Sequence, residues 1–154
     1  MSHRSACLAL ILAAILAAAP LRQSHAGEDL LAAGRYDVDV RLELPHVEDL
    51  NMKKTAAICV MPDSRDGSRG LTVLGDNNPL SRCPASNVRQ DGSVLTFDIV
   101  CEGINAARAS ASYTLAETTF HGRITMKMGG KNMTMSETQV GRRVGACPET
   151  PPRP

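Results

Sequence analysis

Tyr36-Asp37-Val38-Asp39-Val40-Arg41-Leu42-Glu43-Leu44 decides the fold. Apolar side chains fall at every second position, and each residue between them is charged. An extended chain sends successive side chains to opposite faces, so this period of two makes one apolar face and one charged face. A helix would scatter the same residues around its circumference. The stretch predicts a strand lying over a core, ended by Pro45, which has no N–H to give a ladder.

Working outward, residues 54–60 (KTAAICV) predict a second strand. Residues 61–81 are rich in Gly, Asp, Asn, Ser and Pro and read as loop, with room for a short helical turn. Strand signals resume from residue 82. Asp91-Gly92 is a hairpin turn signal. Beyond it, Leu95, Phe97, Ile99 and Cys101 alternate with Thr96, Asp98 and Val100. Further strands are expected at 107–115, 118–128 and 132–147, the last with interruptions near Gly141 and Gly145. Turn signals at Gly103, Glu117 and Gly129-Gly130 separate them. Short strands at regular spacing predict an all-β antiparallel meander, forming a small curved sheet or barrel.

The N-terminal stretch reads as a signal peptide. Arg4 precedes the apolar run CLALILAAILAAAP from Cys7 to Pro20, and Ser24-His25-Ala26 supplies small residues at the cleavage positions. The run is shorter than the roughly 18 to 20 apolar residues of a membrane span. Residues 1–26 are thus expected to be removed on export to the periplasm. Residues 27–147 would then form a single domain, with 148–154 as a disordered tail and no transmembrane segment in the mature chain. The whole chain has 17 Lys and Arg against 16 Asp and Glu. Loss of Arg4 and Arg22 leaves a net charge near −1, which gives no electrostatic basis for binding nucleic acid or an anionic membrane. Tyr36, Phe97, Tyr113 and Phe120 are the only aromatic residues. The core is therefore expected to be aliphatic and thioether-rich.

Four cysteines remain after cleavage: Cys59, Cys83, Cys101 and Cys147. An even number in an exported chain reads as two disulfides. Cys83 and Cys101 flank the Asp91-Gly92 turn. A three-residue loop sets them opposite each other; a two-residue loop leaves them one residue out of register unless a bulge near Pro84 restores it. Either way they form the local bridge, and Cys59–Cys147 follows by elimination.

Met126, Met128, Met133 and Met135 flank Gly129-Gly130-Lys131-Asn132. With Gly130-Lys131 as the loop, Met128 faces Met133, Met126 faces Met135, and period two puts all four on one face. Three readings follow. Soft thioethers suit Cu(I), giving a copper-handling protein. Phe120, Gly122 and Ile124 share that face, which favours core packing. A flexible Met-lined interior can also accept an apolar ligand.

No nucleophile–base pair, zinc motif or phosphate-cradling glycine loop stands at its proper spacing, so no catalytic residue and no cofactor are expected. His46 falls in a loop and His121 on the outer strand face. Acidic residues read as solubilising charges on exposed faces, and Arg142-Arg143 as solvated. Asp63-Ser64-Arg65-Asp66-Gly67 lacks the spacing and closing Glu of a calcium loop.

Gly34-Arg35-Tyr36-Asp37, Ile58-Cys59, Cys101-Glu102 and the stretch TMKMGGKNMTMSETQVGRRVGAC from Thr125 to Cys147 together resemble the bacterial envelope family called domain of unknown function 3617 (DUF3617). Tyr36 and Asp37 stand where that family usually has Trp and Glu. The resemblance implies an exported all-β domain with a four-cysteine pattern, and it implies no particular activity. The expectation is a non-enzymatic periplasmic protein that binds an apolar small molecule or assists another envelope protein.

Overall fold

The computed structural model describes residues 30–45, 52–103, 107–128 and 133–148. The expected leader, His46, the Gly129-Gly130-Lys131-Asn132 turn and residues 149–154 lie outside the described residues. Seven strands form one sheet: β1 (Gly34–Glu43), β2 (Met52–Val60), β3 (Ala85–Asp91), β4 (Val94–Val100), β5 (Arg108–Leu115), β6 (Thr119–Met128) and β7 (Met133–Gly145). All neighbours are antiparallel, in the spatial order β2-β1-β7-β6-β5-β4-β3. β2 and β3 are the outer strands, so of the two closures expected the open sheet is found rather than the barrel.

The alternation of β1 holds: Tyr36, Val38 and Val40 are buried, and Asp37, Asp39 and Arg41 are exposed. β5 and β6 follow the same rule, with Ala109, Ala111, Tyr113 and Leu115 inside and His121, Arg123, Thr125 and Lys127 outside. All four aromatic rings meet in the core. Tyr36–Phe120, Phe120–Tyr113 and Tyr113–Phe97 each have centroids 5.7 Å apart. Space for the rings comes from two glycines. Tyr113 lies opposite Gly122, and Phe120 opposite Gly141. A Cβ on either glycine would fall 2.2 Å from the facing ring. The rings thus rest on bare backbone, the arrangement by which an aromatic compensates for a glycine in a strand.

Residues 61–81 form the expected loop with its short helical turn, and they do more than connect. The segment is irregular, with a 3-10 turn at Pro79–Arg82, yet it supplies core. Its ends belong to opposite edges of the sheet, β2 and β3, so it must cross one face. On the way it buries Leu71, Val73 and Leu80 against that face. It therefore acts as the second layer that a one-sided apolar sheet requires.

The β3–β4 hairpin corrects the expected turn. Asp91 pairs with Val94, so the two-residue loop is Gly92-Ser93, one residue later than Asp91-Gly92. The register then shifts between Ser86 and Arg89, where Asn87 has a positive φ of 53°. The bulge lies at Asn87-Val88 instead of near Pro84, and it brings Cys83 opposite Cys101. Both disulfides, Cys83–Cys101 and Cys59–Cys147, are present. β7 runs unbroken through Gly141. Near its end a register shift at Arg35/Tyr36 of β1 leaves Val144 as the extra residue.

Candidate functional site

Strand register places the methionines. Met126 pairs with Met135 and Met128 with Met133 across β6 and β7. Their environments differ. Met126 is fully buried, and its sulfur accepts a contact from Asn78 Nδ2 at 3.2 Å. Met135 is half-buried and packs at the edge of the core. Met133 is 46% exposed. The side chain of Met128 lies outside the described residues.

Continuing the same face along β7 leads to residues that the sequence reading assigned to solvent or passed over. Met133, Met135, Glu137 and Gln139 share one face of β7, which becomes buried from Met135 onward, and Glu137 pairs with Ile124 in the core. Glu137 is 0% exposed and Gln139 is 1% exposed. The expectation that acidic residues stand on exposed faces is therefore wrong at this position. Burying a carboxylate is costly unless its oxygens find donors. Here they do. Oε1 accepts from Leu74 N at 2.8 Å and from Gln139 Nε2 at 2.6 Å, and Oε2 accepts from Gly75 N at 2.9 Å. Gln139 Nε2 also donates to Thr72 O at 2.8 Å, and its Oε1 accepts from the Tyr113 hydroxyl at 3.0 Å. Burial, and then the nearby charge of Glu137, pushes the Tyr113 hydroxyl far above its ordinary ionisation range. One polar chain thus runs from the aromatic core through β7 to the backbone of the covering segment. Period two along β7 was the signal that could have found Glu137 and Gln139.

Fixing the covering segment at Leu74 and Gly75 leaves a gap beside it. The turn at 75–79 arches over the ends of β1, β2 and β7, enclosing a cavity of about 320 Å³. Val40, Leu42, Met52, Pro79 and Met135 give it apolar walls. Leu42 pairs with Met52 across β1 and β2 and with Glu137 across β1 and β7, so the groove lies directly beside the buried carboxylate. Met52 is 64% exposed and stands at the mouth. Lys53, Lys54 and Asp76 carry the charges of the rim, where Lys54 Nζ pairs with Asp76. Cavities of this size with apolar walls and few polar groups suit small-molecule binding.

The other candidate residues do not converge. A broad depression of about 660 Å³ lies on the outer face of β3 to β6, between Arg89 and Arg123, and its floor is Thr96, Ser110 and Ser112. His121 is exposed on that outer face. Arg142 pairs with Asp39 at 3.5 Å, and Arg143 Nε donates to Ala33 O at 2.9 Å. Asp66 Oδ1 caps its own turn by accepting from Ser68 N and Oγ. Among the described residues no group of three or more His, Cys, Asp or Glu could hold a metal ion. Among them, too, no helix is long and apolar enough to cross a membrane.

Fold and groove together define a two-layer all-β domain, one antiparallel sheet covered by its own long connection and closed by two disulfides. The chain belongs to the family described as protein of unknown function (DUF3617), whose family model matches residues 31–147. That span runs from just before β1 to the last cysteine. No curated protein and no solved structure matches the chain.

Proposed function

We propose that the protein is a non-enzymatic, exported, periplasmic binding protein that holds an apolar ligand in the groove between residues 75–79 and the ends of β1, β2 and β7. The observation that carries this reading is the lining: five apolar side chains around about 320 Å³, two of them methionines, under a segment pinned to the sheet. Flexible thioethers adapt to irregular apolar shapes, which suits a carrier more than a shape-specific enzyme pocket. The expected signal peptide and the paired cysteines support export to an oxidising compartment. Delivery of the ligand to another envelope protein is compatible with this role.

The test is native mass spectrometry of the full chain, expressed with its own N-terminal segment and recovered from the periplasm. The expected result is a retained apolar adduct, lost when Leu42→Trp fills the groove. The denaturing mass reads cleavage after Ala26 and the loss of four hydrogens to two disulfides. If neither an adduct nor uptake of a polarity-sensitive probe responds to Leu42→Trp, the ligand reading falls.

A second reading is favoured by one observation. Met52, which stands outside the hairpin, lines the same cavity as Met135. Two thioethers on one opening are soft donors of the kind that selects Cu(I).

A further inference from the structure

The open sheet ends in two unlike edges. The register of β3 is broken by the bulge at Asn87-Val88, and a bulge is one of the means by which an edge is blunted against further pairing. β2 holds one unbroken register with β1 from Met52 to Val60. We propose that the edge of β2 pairs with the β2 edge of a second copy of this chain, antiparallel and about a two-fold axis at Thr55.

Direction and length follow from the backbone. Met61 N donates to Arg69 O at 3.1 Å, and the Cys59 carbonyl lies 2.8 Å from the position that a Cβ on Gly70 would take. Both groups therefore point away from β1. The N–H and C=O of a strand residue share one edge and alternate with those of the next, so Lys53, Thr55 and Ala57 present theirs to the same side. Among the described residues nothing meets these groups. Arg69 and Gly70 themselves occupy the edge beyond Cys59, which leaves Met52 to Ile58 as the open stretch.

A two-fold axis at Thr55 uses all of that stretch, and the side chains suit the register it imposes. Lys53 faces Ala57 of the second copy and Lys54 faces Ala56, so no lysine stands opposite another. Lys54 keeps its bond to Asp76. The two Thr55 side chains stand side by side on the outer face, a favoured cross-strand pair. On the inner face Met52, 64% exposed in one copy, gains Ile58 of the second as an apolar neighbour. A strand from another protein would have to supply small residues opposite both lysines; this chain's own edge does so in the register that its open length dictates. The axis repeats each contact, giving a closed, isologous dimer.

The experiment is sedimentation velocity of the full chain recovered from the periplasm, at about 1 to 100 μM, where small interfaces associate. A concentration-dependent dimer is expected. Thr55→Pro removes an N–H that points away from β1, a change that edge strands accept, so it should leave the far-ultraviolet spectrum intact and abolish the dimer. Thr55→Cys should cross-link two copies on oxidation, because a hydrogen-bonded pair holds its Cα atoms about 5.5 Å apart, within disulfide reach. Lys53→Cys should not, because residue 53 faces residue 57. A monomer at every concentration overturns the proposal and leaves the edge to a strand of another protein. A folded Thr55→Pro chain that still dimerises, or cross-linking at 53 as ready as at 55, puts the interface elsewhere and overturns it as well. If Thr55→Pro unfolds the chain, the cross-linking pattern alone decides.

Discussion

Glu137 Oε2 accepts the backbone N–H of Gly75 at 2.9 Å, across 62 residues of sequence and with the carboxylate entirely out of water. The contact, with its partner at Leu74, fastens the covering segment to the middle of β7. Glu137→Ala leaves two buried backbone donors without an acceptor. At about 1 to 3 kcal/mol for each unsatisfied group, the expected loss of stability is about 2 to 6 kcal/mol. Glu137→Gln keeps one acceptor oxygen and turns an NH₂ toward the other donor, so it should cost less. Hydrogen exchange locates the effect. The amides of Leu74 and Gly75 should lose protection ahead of those of β5, and uniform loss across the sheet would refute a local latch.

The glycines under the aromatic rings give a second expectation. Gly141→Ala drives a Cβ into the Phe120 ring at 2.2 Å, and β7 cannot retreat because it is paired on both sides. The cost should be about 3 kcal/mol, the upper part of the overpacking range. Gly92→Ala is the control. That turn has open space around it but a φ of +54°, so it should lose only about 1 kcal/mol through backbone strain. Urea midpoints of the two variants check the order.

These two sites mark how far the sequence could be read. The period of two along 36–44 and 120–128 gave the strands and their inward faces, because a half-buried strand must alternate. The hairpin of methionines gave its register for the same reason. Residues 61–81 could not be read this way. An irregular segment has no period, so nothing in the pattern marks Leu71, Val73 and Leu80 as core, although they form the layer that covers the sheet. The groove exists only because of that segment, so it too was hidden. Glu137 and Gln139 were legible in register and were obscured by the general rule that charged side chains face water. That rule yields wherever backbone donors from another segment are waiting.

The two disulfides should differ in their contribution. Cys59–Cys147 spans 88 residues and Cys83–Cys101 spans 18. On the chain-entropy account these loops correspond to about 4.6 and about 3.2 kcal/mol. Paired Ser substitutions are expected to lower stability in that order, read by chemical denaturation under non-reducing conditions. Cys59–Cys147 also ties the outer strand β2 to the residues just past β7. Its loss should therefore speed amide exchange in β2 before β4. The reverse ranking would mean that native contacts held by the β3–β4 hairpin bridge outweigh loop length.

Alkaline pH should destabilise the fold through its tyrosines. Burial raises the ionisation of Tyr113 far above the ordinary value of 10.0, with the charge of Glu137 adding to it, and burial also raises Tyr36 against the opposing charge of Arg143. Below that ordinary value both states are protonated and stability is unaffected. Above it the unfolded chain loses protons that the folded chain keeps, so stability falls as pH rises. Tyr113 alone should account for about 1.4 kcal/mol per pH unit in that range. Urea midpoints measured at rising pH, for the native chain and for Tyr113→Phe, test the claim. A slope unchanged by the substitution would rule Tyr113 out as its source.

The methionines separate packing, ligand and metal in one series. Met126 is fully buried and tied to Asn78, so Met126→Leu should cost less than about 1.5 kcal/mol, as volume-conserving core changes do, and should leave binding alone. Met133→Leu, at a half-exposed position, should change stability little. Met52→Leu and Met135→Leu alter the walls of the groove and nothing fully buried. If the groove takes an apolar chain, this pair keeps affinity for that chain nearly intact, because leucine is as apolar as methionine. If the opening takes Cu(I), the pair abolishes metal affinity, read by competition with a chromophoric chelator, because leucine offers no donor. Intact chain binding with no measurable copper affinity in the native protein is the outcome expected here. A tight copper site that vanishes with Met52→Leu and Met135→Leu would instead make the thioethers ligands and the apolar walls their shield from water.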